Sequence, residues 1–309
     1  MPPAPRIAPS DGRVPPRLVA VVVAALLVLP IGACGDGGSS QAGTNRAVDR
    51  FDADAAWTLV KRQVDLGQRP AGSPQLRRLA VELRPLLPAG RFEAIPGEPG
   101  LRNVVGTLEG RRPGIVVGAH YDTLVKPPGF VGANNGAAGT AVVVEVAQAL
   151  AALEPAAGGR EVRFVLFDGE EPAAGLPEEG EDFYNEGLRG SRAYVAANPD
   201  RTRAMVLLDY VGNEGLQLPR EATSTPALWE RVMTAARVAG VERFFSAETG
   251  PSIVDDHTPF LRSGVSAVDL IDWSYPGHSL ADGLDKISRQ SLDAVGETVI
   301  QLVDELRRE

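Results

Sequence analysis

The chain carries only three histidines, His120, His257 and His278, and each stands beside carboxylates or glycines in a loop-like segment. His120 lies in Gly-Ala-His-Tyr-Asp-Thr, His257 in Asp-Asp-His-Thr-Pro-Phe and His278 in Tyr-Pro-Gly-His-Ser. Zinc prefers imidazole and carboxylate donors and keeps an open position for water when it is catalytic. His120 and His278, with Asp122, Glu171 and Asp209, supply those donor types. They are far apart in sequence and no His-Glu-x-x-His helix joins them, so only the fold could assemble them. A partly buried polar histidine is the other reading of each. Phe167-Asp168-Gly169-Glu170-Glu171 adds two adjacent carboxylates after an apolar run. One can bind a metal while its neighbour moves protons as a general acid and base. A solvated acidic turn is the alternative, and the buried-looking strand before the pair favours function.

These residues need a scaffold. Short β-branched runs at Asn103–Leu108, Ile115–Ala119, Val162–Phe167, Met205–Leu208 and Ala267–Ile271 read as central strands covered on both faces. Helical spacing marks Phe51–Leu66, Gly139–Leu153, Leu188–Ala197, Pro226–Ala239 and Ser291–Arg307. Ser73-Pro74 opens another helix as cap and first-turn proline, ending by Leu87. Strands alternating with helices predict an α/β domain of three layers. In such sheets functional residues gather past the carboxyl ends of the strands. His120–Asp122, Asp168–Glu171 and Asp209 all fall at such ends.

An ordered series of motifs carries a resemblance. Gly118–Thr123, Gly132–Gly139, Phe167–Glu171, Gly190-Ser191-Arg192-Ala193-Tyr194, Leu208–Gly212, Asp255–Phe260, and His278-Ser279 ahead of Leu284-Asp285-Lys286 resemble the zinc aminopeptidases of metallopeptidase family twenty-eight and their relatives, the glutaminyl cyclases. The likeness runs from about Leu101 to Ile287. It implies an α/β/α sandwich with a mixed central sheet, of the zinc-exopeptidase, phosphorylase/hydrolase-like kind. By position Glu171 and His278 match zinc ligands, and His120 and Asp209 match ligands of a second metal. Asp122 matches a carboxylate that orients His120. Glu170 matches the general acid/base, with Asp209 and Asp255 in its hydrogen-bond network. Asp256 and His257 are expected to support the site rather than react. Trp273 either shapes the substrate pocket or fills the core.

One departure stands out. Where the family places a metal-binding aspartate, this chain has Asn135, and no acidic residue lies between Asp122 and Glu145. A neutral amide is a poor bridge between two dications, so one zinc is expected rather than two, with Asn135 contributing its carbonyl. Phe-Asp-Gly-Glu-Glu, the doubled Asp255-Asp256 and the long insertion Pro172–Glu186 resemble the cyclase branch. The expected activity is therefore glutaminyl-peptide cyclotransferase, closing an N-terminal glutamine to pyroglutamate with release of ammonia. The alternatives are a zinc aminopeptidase, and an impaired lipoprotein that binds peptides without turning them over.

The rest of the chain bounds the setting. Its 309 residues fit one large domain after a leader, and the net charge of −9 carries no basic patch interleaved with aromatics, which argues against nucleic acid. Arg6, Arg13 and Arg17 precede an apolar run, Leu18–Leu29, too short to span a membrane. The run ends at Ile31-Gly32-Ala33-Cys34, which resembles a bacterial lipobox, and Cys34 is the only cysteine. A lipoprotein signal over 1–33, a Gly/Ser-rich tether over 34–47 and a catalytic domain over 48–309 follow. The resemblance implies lipidation of Cys34, attachment to the outer face of the bacterial cytoplasmic membrane in the cell envelope, and peptide or protein N-termini as partners.

Overall fold

Eight strands are present among the described residues: β1 (Arg91–Ala94), β2 (Arg102–Leu108), β3 (Arg111–His120), β4 (Arg160–Phe167), β5 (Thr202–Asp209), β6 (Leu218–Arg220), β7 (Phe245–Thr249) and β8 (Ser266–Ile271). The computed structural model describes residues 49–153, 158–173, 175–176 and 180–309. They belong to one unit, Arg46–Glu309, while the leader, the tether and Cys34 lie outside the described residues. Six strands form the central sheet in the order β1-β2-β4-β3-β5-β8. β2 runs antiparallel to both β1 and β4, and β3, β4, β5 and β8 are mutually parallel. The sheet is therefore mixed. β6 and β7 pair separately.

The helices are α1 (Ala53–Asp65), α2 (Pro74–Leu83), α3 (Gly139–Ala152), α4 (Gly180–Glu186), α5 (Arg189–Ala197), α6 (Pro226–Val238), α7 (Thr258–Arg262) and α8 (Arg289–Arg308). Alternate residues of each strand point to opposite faces, and both faces are covered. Ile115, Val117, Phe164, Leu166, Val206 and Leu208 join the larger core with α1, α2, α3, α6 and α8. Val116, Val165, Phe167, Met205 and Leu207 form the smaller core with Tyr194 of α5 and Phe260 of α7. Helix, sheet and helix make three layers.

The structure refines the sequence reading at several ends. β3 begins at Arg111 rather than Ile115. Helix α2 stops at Leu83 and a tight turn over Arg84–Leu86 follows, because Pro85 cannot donate to a continuing helix. Ser73 caps α2 as expected, its hydroxyl accepting from Leu76 N at 3.1 Å. The insertion after the glutamate pair contains α4.

Candidate metal centre

β3 lies between its parallel neighbours β4 and β5, so their carboxyl ends stand side by side. His120, the last residue of β3, is in register with Phe167, the last of β4. Asp209 ends β5. The topology thus gathers His120, Glu170, Glu171 and Asp209 at one edge, and all four are buried. One donor atom from each of His120, Glu170 and Glu171 lies within 4.8 Å of the other two. His120 Nδ1 is 3.6 Å from Glu170 Oε2 and 3.5 Å from Asp122 Oδ1, and His120 Nε2 is 3.5 Å from Asp209 Oδ1.

Asp122 is fully buried and holds the acidic pair by its backbone, accepting from Glu170 N at 3.3 Å and Glu171 N at 3.2 Å. It therefore serves both the imidazole and the turn. Behind that turn, Asn103 fixes Asp168: its side chain accepts from Asp168 N and donates to Gly190 O.

Electrostatics favour a cation here. Burial drives the Glu171 carboxyl up to about 8, with Asp122 adding to the rise. Burial, then Glu171, holds Glu170 well above the usual carboxylate range. Burial alone would lower His120, yet Glu170, Asp122 and Asp209 together raise it well above its ordinary value. His120 Nδ1 is buried without a hydrogen-bond partner. A dication placed among these donors would satisfy the imidazole and let both glutamates ionise, so the donor set fits a metal such as zinc.

Asn135 sits at this cluster in a turn that leads into α3. Its Nδ2 donates to Glu171 Oε1 at 2.9 Å and to Tyr210 OH at 3.3 Å, while its Oδ1 is buried without a partner. The next residue, Gly136, has φ 87, and a Cβ there would lie 2.6 Å from Asp122 O, so only glycine fits. His278 and Trp273 stand in the exposed loop after β8, outside the group of three close donors. Their rings lie 6.4 Å apart, and Trp273 is 39% exposed, so it belongs to a surface recess rather than the core.

Asp255, Asp256 and His257 precede α7 and are buried. Burial, then Asp209, raises Asp255 to about 6, and burial, then Asp255, puts Asp256 well above its usual range. His257 stands at the N-cap position of α7, but its side chain makes no capping hydrogen bond. Its Nε2 is 2.9 Å from Thr223 Oγ1 and 3.4 Å from Glu221 Oε2, and its Nδ1 is 3.7 Å from Asp269 Oδ2.

Sequence reasoning missed Asp282, which clamps the Asn135 turn. Its carboxylate accepts from Asn134 N at 2.8 Å, Asn135 N at 3.0 Å and Tyr275 OH at 2.8 Å. It missed Glu221 as well, and gave Tyr210 no role beyond its place in the Leu208–Gly212 motif. A local signal exists only for Asp282, which follows His278 by four residues and precedes a glycine.

The model of peptidase family M28 matches residues 103–303, most of the chain. The chain belongs to peptidase family M28. This M28 protein is 28% identical over 288 residues to a glutaminyl-peptide cyclotransferase-like protein of Mus musculus, covering 80% of this chain and 74% of that one. It is also 28% identical over 225 residues to aminopeptidase YwaD of Bacillus subtilis, covering 66% of this chain but only 44% of that longer protein. Among solved structures, the glutaminyl cyclase of Porphyromonas gingivalis superposes with a TM-score of 0.71 at 30% identity, over 84% of this chain and 99% of that one. The M28 fold expected from the motifs is thus the fold observed. Its relatives are enzymes of two kinds, cyclases and aminopeptidases.

Proposed function

We propose that this M28 protein is a zinc-dependent glutaminyl-peptide cyclotransferase. The observation that carries the reading is Asn135, whose amide nitrogen points at Glu171 where a second anionic ligand would stand. This favours one cation at Glu171, with His278 and the Asn135 carbonyl completing the ligand set implied by the motifs and Glu170 beside it left free to move protons. When bound, zinc would supply Lewis-acid polarisation of the scissile amide carbonyl.

The chain's own residues would do the rest. Tyr210 and Trp273, with ring centroids 5.8 Å apart, wall the recess beside His278 and keep the glutamine side chain from water. The substrate's α-amine forms a bond to its own side-chain carbonyl carbon, and the bond from that carbon to the amide nitrogen breaks. Glu170 takes the proton from the amine and returns it to the departing nitrogen, which leaves as ammonia. Asp122 holds Glu170 in place through the backbone N–H at 3.3 Å.

A second reading has its own support. His120 Nε2 and Asp209 Oδ1 approach to 3.5 Å, the pair that the motifs assign to a second metal in aminopeptidases. Export and lipid anchoring at Cys34 complete the proposal and rest on the leader alone. The test is zinc per chain by elemental analysis, with parallel assays on a glutamine-initiated peptide and on alanyl and leucyl amides. One zinc with ammonia release is the expected result. Amide hydrolysis alone would make the protein an aminopeptidase, and neither zinc nor turnover would make it a binding relative.

A further inference from the structure

Trp273 divides two recesses. On one side it faces Tyr210 and His278 in a recess of about 340 Å³ beside the metal centre. On the other it lines a larger recess of about 580 Å³ with Gln217, Pro219, Glu248 and Pro251. Trp273 is the wall they share, and a chain of contacts ties it to the metal centre. Glu171 accepts from Asn135, Asn135 donates to Tyr210 OH, and the Tyr210 ring stacks on Trp273 at 5.8 Å. We infer that the larger recess receives the residues that follow the first residue of a peptide substrate, and that it favours a basic side chain there. The inference rests on the reading of the protein as an enzyme of peptide N-termini and names its preferred substrates.

The recess has the character of a peptide subsite. An indole left 39% exposed offers a large flat face that gains from being covered. Two prolines add rigid apolar surface that loses no side-chain entropy on binding. The floor is fixed, because Asp272 Oδ2 accepts from Asn213 Nδ2 at 2.9 Å and Gln217 N at 3.1 Å, and its Oδ1 from the backbone and hydroxyl of Ser274. That carboxylate is fully engaged, which leaves Glu248, on β7, as the charge at the rim.

No cation lines the recess. The nearest arginines in sequence are turned elsewhere. Arg220 donates to Ala222 O, Ser224 O and Thr249 Oγ1, and the Arg243 guanidinium lies 4.5 Å over the Phe244 ring. Among the described residues none pairs with Glu248. A lysine or arginine two or three residues into a peptide would meet a negative rim and an aromatic wall, which suits its charge and its aliphatic stem.

The test compares the purified full-length protein with its Glu248→Lys variant on glutamine amide, Gln-Ala-Lys-amide and Gln-Ala-Glu-amide. The wild type is expected to favour the lysine peptide over the glutamate peptide by about threefold to fivefold in kcat/KM, the size of one exposed charge pair. The variant reverses the order and leaves glutamine amide unchanged. Equal kcat/KM for the two peptides, or the same preference in both proteins, overturns the inference. Failure of the cyclase reading looks different, since glutamine amide itself is then not turned over. Binding of the same peptides by titration calorimetry then decides the subsite on the same ratio. A dimer in solution that Glu248→Lys dissolves would give the recess to a second copy of the chain and also overturn it.

Discussion

Asn135 decides how many charges the metal centre holds. Its amide donates to Glu171 at 2.9 Å, so without metal it relieves the buried acidic pair. An aspartate there would place a third carboxylate beside Glu170, already held above its usual range by burial and Glu171, and Glu171, held up by burial and Asp122. Two consequences follow. The metal-free Asn135→Asp protein melts lower than the wild type, because a buried hydrogen bond is exchanged for like-charge repulsion. The same carboxylate binds zinc directly, so affinity rises by about tenfold or more, roughly 1.4 kcal/mol. Chelator competition reads the affinity, and melts with and without zinc read the stability. An unchanged zinc affinity in Asn135→Asp would show that this side chain faces away from the ion.

At the scale of elements, Asp282 ties the loop that carries His278 to the turn that carries Asn135. It takes two successive backbone N–H groups and the Tyr275 hydroxyl on one carboxylate. Asparagine offers one acceptor oxygen, so Asp282→Asn leaves a buried N–H facing an amide nitrogen. The expected cost is about 1–3 kcal/mol, or roughly 2–4 °C of melting temperature for each kcal/mol. Below that transition, kcat falls while KM holds, because the turn loses its register and the substrate walls do not. Tyr275→Phe removes one donor and does less. A kcat loss no larger than in Tyr275→Phe would confine Asp282 to stability. This clamp also marks where sequence reading stops. β3, β4 and β5 were legible because strands covered on both faces are mostly apolar runs, and the candidates His120, Asp209 and Glu171 were legible because the first two end β3 and β5 and the third follows just past the end of β4. β1, with Arg91 and Glu93, and β6, with Pro219, lack that pattern because a strand at an edge or in a small sheet has little to bury. Asp282 and Glu221 act through loops that meet only in the fold, and no spacing announces such contacts.

The whole molecule concentrates buried acids at one end of its sheet, yet two raised carboxyls, Glu145 and Asp293, lie apart from the metal centre, and Glu145 tests the protein's pH response. Glu145 on α3 is buried, and burial, then the charge of Asp52, lifts it to about 7. Asp52 is held there as the cap of α1, accepting from Ala55 N at 2.8 Å. In the unfolded chain a glutamate titrates near its ordinary value, about 4.3. Between that value and about 7 the folded state binds more protons than the unfolded one, so stability falls as pH rises through this window and levels above it. Glutamine keeps the shape of a protonated glutamate without the charge. Glu145→Gln is therefore expected to melt a few degrees above the wild type at pH 8 and level with it at pH 4. Melts at both pH values, with zinc held constant, decide the matter. The same difference at both would mean that packing around Glu145, rather than its charge, sets the stability of this layer.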